Sequence, residues 1–164
     1  MEAADTPFAT VVLAHLETLA TRRSATRRGA AKLALSRRLY ERLLDTKAPN
    51  PIVLSGDVHV HYGAELKLDY QNEKSPTVGA EFTNSSITSG GDGAEVSAIW
   101  EAIRGDNPHL RYHSARRGYV ACTATPREMR AEFKVLDRVT VPDSPSRTGG
   151  TLVVEAGRPG VHTA

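Results

Sequence analysis

Residues 51–56 read Pro-Ile-Val-Leu-Ser-Gly, three consecutive large aliphatic side chains between a proline and a glycine. A strand with one wet face alternates apolar and polar residues. A run that is apolar at every position needs cover on both faces, as in the interior of an α/β sheet. A helix cannot enter the run from upstream. Ala48-Pro49-Asn50-Pro51 precedes it, and proline lacks an amide donor and restrains the residue before it. Further upstream, Leu35, Leu39 and Leu43 recur at i, i+4 and i+8 with Tyr40 and Leu44 beside them, while Arg37, Arg38 and Arg42 fall elsewhere. That spacing predicts an amphipathic helix over residues 31–46. Helix, break and doubly buried strand predict an α/β fold.

The rest of the chain is consistent with one domain of that class. Its 164 residues are 40% hydrophobic and 24% charged, which excludes a disordered, collagen-like or coiled-coil chain. Aromatics are only 5%, so the core must rest on Val, Leu, Ile and Ala. Strands are predicted over residues 60–70, 78–83, 119–123 and 131–136, the last two as a hairpin with a connection of five to seven residues. Val96, Ile99, Trp100 and Ile103 predict a short helix, and another is expected around Ala9–Ala20. Residues 139–164, rich in Pro and Gly, read as a tail with one strand at Thr151–Glu155.

Charge is uneven despite a net +2. From Arg22 to Arg42 there are eight cations and one anion, Glu41. Such a segment can bind nucleic acid, or it can be a solvated helix face behind a basic arm. No aromatic residues are interleaved for base stacking, so no specific nucleic acid is expected. Residues 1–30 receive no domain assignment. The apolar run from Pro7 to Leu16 is too short for a bilayer and follows Glu2 and Asp5, so neither a membrane partner nor a secretion signal is read. A cytoplasmic location is the expectation for the sequence as it stands.

Chemistry concentrates just past the buried strand. Ser55-Gly56-Asp57-Val58-His59-Val60-His61 spaces three ligand-type residues by two, which on an extended chain puts Asp57, His59 and His61 on one face. A carboxylate with imidazole suits Fe, Mn or Zn, and strand ends are where open α/β sheets keep their sites. The alternative is a polar turn with surface histidines. Ser85–Gly93 is either an anion-binding nest of small residues or a connecting loop, and no P-loop lysine follows it. His109 in Asn107-Pro108-His109 could contact phosphate or act as an acid. Arg116 and Arg117 could clamp phosphate oxygens. The lone Cys122 excludes an intrachain disulfide and reads as a buried structural thiol.

Taken together these pieces resemble the C-terminal part of the PhoD-like alkaline phosphatase family. They are Pro51-Ile-Val-Leu-Ser-Gly-Asp-Val-His59, Glu65-Leu66, Glu81-Phe82, Ser86–Gly93, Asn107-Pro108-His109 and Arg116-Arg-Gly-Tyr-Val120, in the family's order. The resemblance implies a metallophosphoesterase fold, a two-sheet β-sandwich flanked by helices, with metal ions at strand ends. It implies hydrolysis of phosphate monoesters or diesters at alkaline pH, iron and calcium as cofactors, and common export by the twin-arginine route. By this likeness Asp57 and His59 are metal ligands and His109 a catalytic contact to the phosphate. The family's other ligands lie upstream of anything matched here. Three expectations therefore stand side by side: a metal-dependent phosphoesterase completed by an N-terminal part, an inactive fragment or pseudo-enzyme of the same family, and a basic nucleic-acid-binding module.

Overall fold

Ile52-Val53-Leu54 forms a strand, β2 (Ile52–Ser55), in the computed structural model, which describes residues 10–12 and 27–164, with side chains from Leu35 onward. Ile52 and Val53 are both buried, and they face opposite ways. Val53 meets the helix α1 (Arg27–Asp45), where Tyr40 packs with Val53, Leu66 and Val78. Ile52 faces a second sheet, joining Ala80 and Phe82 against Met129, Phe133, Leu152, Val154 and Val161. A large apolar side chain buried in this way contributes about 1.5–3 kcal/mol, so a strand burying two faces is worth more than its four residues suggest.

The first sheet has five strands. They are β1 (Thr10–Val12), β2, β3 (His61–Lys67), β4 (Thr77–Thr83) and β5 (Leu110–Ser114), in the order β1-β2-β4-β3-β5. β1 and β4 flank β2 in parallel, and β3 runs antiparallel to both β4 and β5. Leu66 lies opposite Gly79 but Lys67 opposite Thr77, so Val78 is an extra residue on β4. This bulge reverses the alternation. Val78 turns to α1, while Ala80 and Phe82 face the second sheet. Gly79 is required beside the bulge, since a Cβ there would collide with the Pro51 carbonyl oxygen, which accepts the Ala80 amide at 3.0 Å.

The second sheet is an antiparallel meander of β6 (Gly118–Ala124), β7 (Glu128–Leu136), β8 (Ser146–Glu155) and β9 (Arg158–Thr163). β7 alternates strictly, with Met129, Ala131, Phe133 and Val135 buried. Helix α2 (Ala98–Ile103) lies between β4 and β5 in sequence. The architecture is the expected α/β two-sheet sandwich.

The structure departs from the sequence reading in four places. Thr10–Val12 is a strand rather than part of a helix; the rest of residues 1–26 lies outside the described residues. β5 has no counterpart in the sequence reading, because Leu-Arg-Tyr-His-Ser holds only two apolar residues, too short an alternation to signal a strand. Its Tyr112 nonetheless stacks on Phe133 with ring centroids 4.3 Å apart. The β6–β7 turn is three residues long, tightened by the Thr125 hydroxyl, which accepts the Arg127 and Glu128 amides. Residues 139–164 are not a tail but hold β8 and β9, and Leu152, Val154 and Val161 belong to the core. The glycines that suggested looseness sit inside β8 because a Cβ at Gly150 would collide with the Tyr112 ring.

Candidate functional site

Parallel pairing of β2 with β4 brings their C-terminal ends together, and the start of β3 arrives at the same end of the sheet. The connection from β2 to β3 carries Asp57 and His59. Both residues are exposed and both adopt left-handed backbone angles, with φ of 75° and 57°. A non-glycine residue held there costs on the order of 1–3 kcal/mol, so the loop is fixed by its surroundings rather than by preference. The segment is therefore not extended, and the one-face argument for Asp57, His59 and His61 does not hold. His61 begins β3 and is fully buried instead. Its Nδ1 accepts the Ser85 amide at 3.2 Å, and its ring packs edge-on against Phe133. Burial lowers its pKa to about 4, offset in part by the Thr83 backbone, so it is neutral near pH 7.

Arg117 fixes the loop. The buried guanidinium donates Nη1 to the carbonyls of His59 at 2.8 Å and Ala115 at 3.1 Å, Nε to Gly91 at 2.9 Å and Nη2 to Gly90 at 3.1 Å. Its donors are committed to main-chain oxygens, so it does not offer the anion-clamping fork expected of it. Arg116 is likewise engaged, with Glu95 at 2.6 Å and the Asp137 carbonyl at 3.0 Å. The Arg116 hydrogen bond first, then the charges of Arg116 and Arg147, hold the Glu95 carboxyl below the ordinary range. The Ser85–Gly93 segment is a braced connector. Gly90 and Gly91 turn carbonyls to Arg117, and Asp92 accepts the Val139 and Thr140 amides at 2.7 and 2.9 Å. Asn84 ties the loop to the second sheet, accepting the Val120 amide at 3.0 Å.

Two groups of polar residues escaped sequence reasoning. Beneath the loop, the Ser55 hydroxyl donates to buried Glu81 at 2.5 Å and lies 3.0 Å from Thr83 Oγ1. The available signal was a carboxylate inside the otherwise apolar Val78–Phe82. His113, given no role from the sequence, stacks on Trp100 with centroids 4.8 Å apart and lies tilted against Tyr62 at 4.9 Å. Its Nε2 accepts the Ser97 amide at 3.1 Å, docking α2 on the sheet.

His109 is not brought to this end. The register sets His61 against Ser114 and Ala64 against Leu110, and the His109 carbonyl accepts the Glu65 amide. The distance from His61 to Glu65 along β3 is about 13 Å at roughly 3.3 Å per residue, so His109 belongs to the opposite end. There it is buried against Tyr70, 4.5 Å between centroids, in a cleft of about 270 Å³ that Lys67 and Arg111 also line. Cys122 is exposed on β6, not buried, although partial desolvation still raises its thiol pKa.

Asp57 and His59 suit a metal centre in kind but not in number. Among the described residues no group of three or more His, Cys, Asp or Glu is placed to hold an ion, so no reaction step can be derived through one here. Nor is any described helix long and apolar enough to cross a membrane.

This geometry agrees with three comparisons. A family model described as PhoD-like phosphatase matches residues 2–133, reaching well upstream of the residues that carry the resemblance. Alkaline phosphatase D of Bacillus subtilis is 38% identical over 113 residues, which is 69% of this chain and 19% of that protein. A solved structure of PhoD superposes with a TM-score of 0.85 at 28% identity, covering 96% of this chain and 31% of that one. The chain thus spans under a third of the length of these relatives, in accord with a C-terminal part. A family match over most of its residues, joined to this fold, places the chain in the PhoD-like phosphatase family.

Proposed function

We propose that the chain contributes Asp57 and His59 to the metal centre of a phosphoesterase of the alkaline phosphatase type, acting on phosphate monoesters or diesters. The observation that carries this reading is the Asp57–His59 loop. It is held in left-handed backbone at the ends of β2 and β4 by Arg117, in a fold that matches PhoD with a TM-score of 0.85. Membership of a phosphatase family supports the hydrolase class; the cations, iron with calcium, follow from the family resemblance alone. A bound cation there would activate water and neutralise phosphate charge. Structural sites take about four ligands and calcium six or more, so further ligands must come from residues beyond this set.

A second reading, an inactive member of the same family, is favoured by the small number of donors among the described residues. One assay separates the two. The chain is tested alone, and as part of a completed PhoD-like protein, with p-nitrophenyl phosphate and its bis ester at alkaline pH with iron and calcium. The chain alone should give negligible turnover. The completed protein should be active and lose at least about a hundredfold on Asp57→Ala or His59→Ala, as expected when a metal ligand is removed. Full activity in either variant would overturn the metal assignment, and a completed protein without turnover would favour the inactive reading.

A further inference from the structure

The cleft beside His109 has no part in the site at the other end of the sheet, yet both of its walls are braced. One wall is the connection from β3 to β4. Its buried Ser75 accepts the Asp69 amide on the hydroxyl at 2.8 Å and donates its own amide to the Asn72 carbonyl at 2.9 Å. The Leu68 amide closes the base on the Pro76 carbonyl at 3.2 Å. The other wall is the approach to β5. There buried Asn107 donates Nδ2 to the Ile103 carbonyl at 2.7 Å and accepts the Leu110 amide at 3.0 Å. His109 lines the cleft and is only 7% exposed, but among the described residues neither of its ring nitrogens has a hydrogen-bond partner. Buried polar groups are as a rule paired, with protein or with something bound. Burial lowers its pKa to about 4, with Glu65 opposing and Lys67 and Arg111 adding. Near pH 7 the ring is therefore neutral and offers one donor and one acceptor.

The charges of the cleft are of both signs. Arg111 is matched by Glu65 at 3.0 Å. Lys67 donates to Thr77 Oγ1 at 3.1 Å but has no carboxylate partner among the described residues. On the loop, Asp69 accepts the Gln71 amide at 2.9 Å through Oδ1 alone, and exposed Glu73 has no cation partner among the described residues. We propose that this cleft binds a free α-amino acid, with the carboxylate on Lys67, the ammonium on Asp69 and Glu73, and a hydrogen bond to His109. The site is separate from the proposed metal centre and does not rest on it. Charge selects the ligand class. Two carboxylates beside one unmatched cation oppose a phosphate dianion, and a simple amine would leave Lys67 unmet; a zwitterion answers both signs at once. Size agrees. A cleft of about 270 Å³ lies below the range of about 300–1,000 Å³ that holds drug-sized ligands, so the occupant has few heavy atoms.

The test titrates the full 164-residue chain at pH 7 with glycine and with L-alanine, read from the assigned NMR signals of the His109 ring. Both ligands should shift those signals saturably, with a Kd in the millimolar range or below. Acetate, methylammonium and inorganic phosphate should each bind at least about tenfold more weakly than glycine, because each lacks one of the two charge-assisted contacts. Lys67→Met, and the double variant Asp69→Asn/Glu73→Gln, should each weaken glycine about tenfold with the melting temperature unchanged. Arg127→Met, in the β6–β7 turn, should bind like the wild type. Asp57→Ala should do so too, which keeps this result apart from the fate of the metal assignment. A completed PhoD-like protein should bind glycine with the same affinity as the chain alone. The proposal is overturned by ring signals that do not saturate, by acetate or phosphate binding as tightly as glycine, or by wild-type affinity in either variant. Binding that disappears in the completed protein would overturn it as well, since the rest of the domain would then fill the cleft.

Discussion

Arg117 holds three stretches of chain at once. The carbonyls of His59, of Gly90 and Gly91, and of Ala115 all depend on one guanidinium. Hydrogen bonds to a charged group are worth about 1.5–3 kcal/mol each, so Arg117→Ala, which removes the donors of all four carbonyl contacts, should destabilise by at least about 2 kcal/mol. Arg117→Lys should recover only part, because an ammonium lacks the planar fork that reaches several carbonyls. Urea unfolding of both variants measures this. A second prediction concerns pH. Burial depresses both His61 and His109 from 6.5 to about 4. Between those values the unfolded chain binds more protons than the folded one, so stability rises with pH across the window and is fully present above about 6.5. The urea midpoint should therefore fall as pH drops from 6.5 towards 4, and His109→Asn should flatten that slope. Asp57 and His59 were legible at this scale because Gly-Asp-Val-His is a local motif. The left-handed angles of its residues were not, since they depend on the folded surroundings, among them the Arg117 hydrogen bond to the His59 carbonyl from 58 residues downstream.

At the scale of elements, what could be read was whatever carried its own periodicity. The helix α1, the doubly apolar β2 and the alternating β7 announce themselves. The half of β8 read as a strand at Thr151–Glu155 does too, but β5 and the first half of β8 do not, because their packing is reciprocal: Tyr112 of β5 fills the space that Gly150 of β8 leaves open, and neither residue signals a strand alone. The composition of residues 139–164 therefore misleads about their weight in the fold. Deleting them removes Leu152, Val154 and Val161 from the main core together with β8, one of the two partners of β7. Each lost aliphatic side chain is worth roughly 2 kcal/mol, against a total stability of about 5–15 kcal/mol for a domain. A chain ending at Arg138 should show no cooperative thermal transition by circular dichroism, whereas a mere tail would leave the transition intact.

For the whole molecule, the two sheets differ in how far the chain must travel to build them. The five-stranded sheet draws on residues from Thr10 to Ser114 and interleaves them as β1-β2-β4-β3-β5. The meander is assembled from neighbours, β6 through β9 in simple succession, with the first connection only three residues long. Chain closure over short separations is entropically cheaper and faster than over long ones. The meander is thus the half that should acquire structure first, serving as the template on which Ile52, Ala80 and Phe82 condense. Pulse-labelled amide exchange during refolding checks the order: protection at Ala131, Phe133 and Val153 should precede protection at Val53 and Phe82. On this view the strands farthest from the Asp57–His59 loop in sequence set the time at which that loop first takes shape.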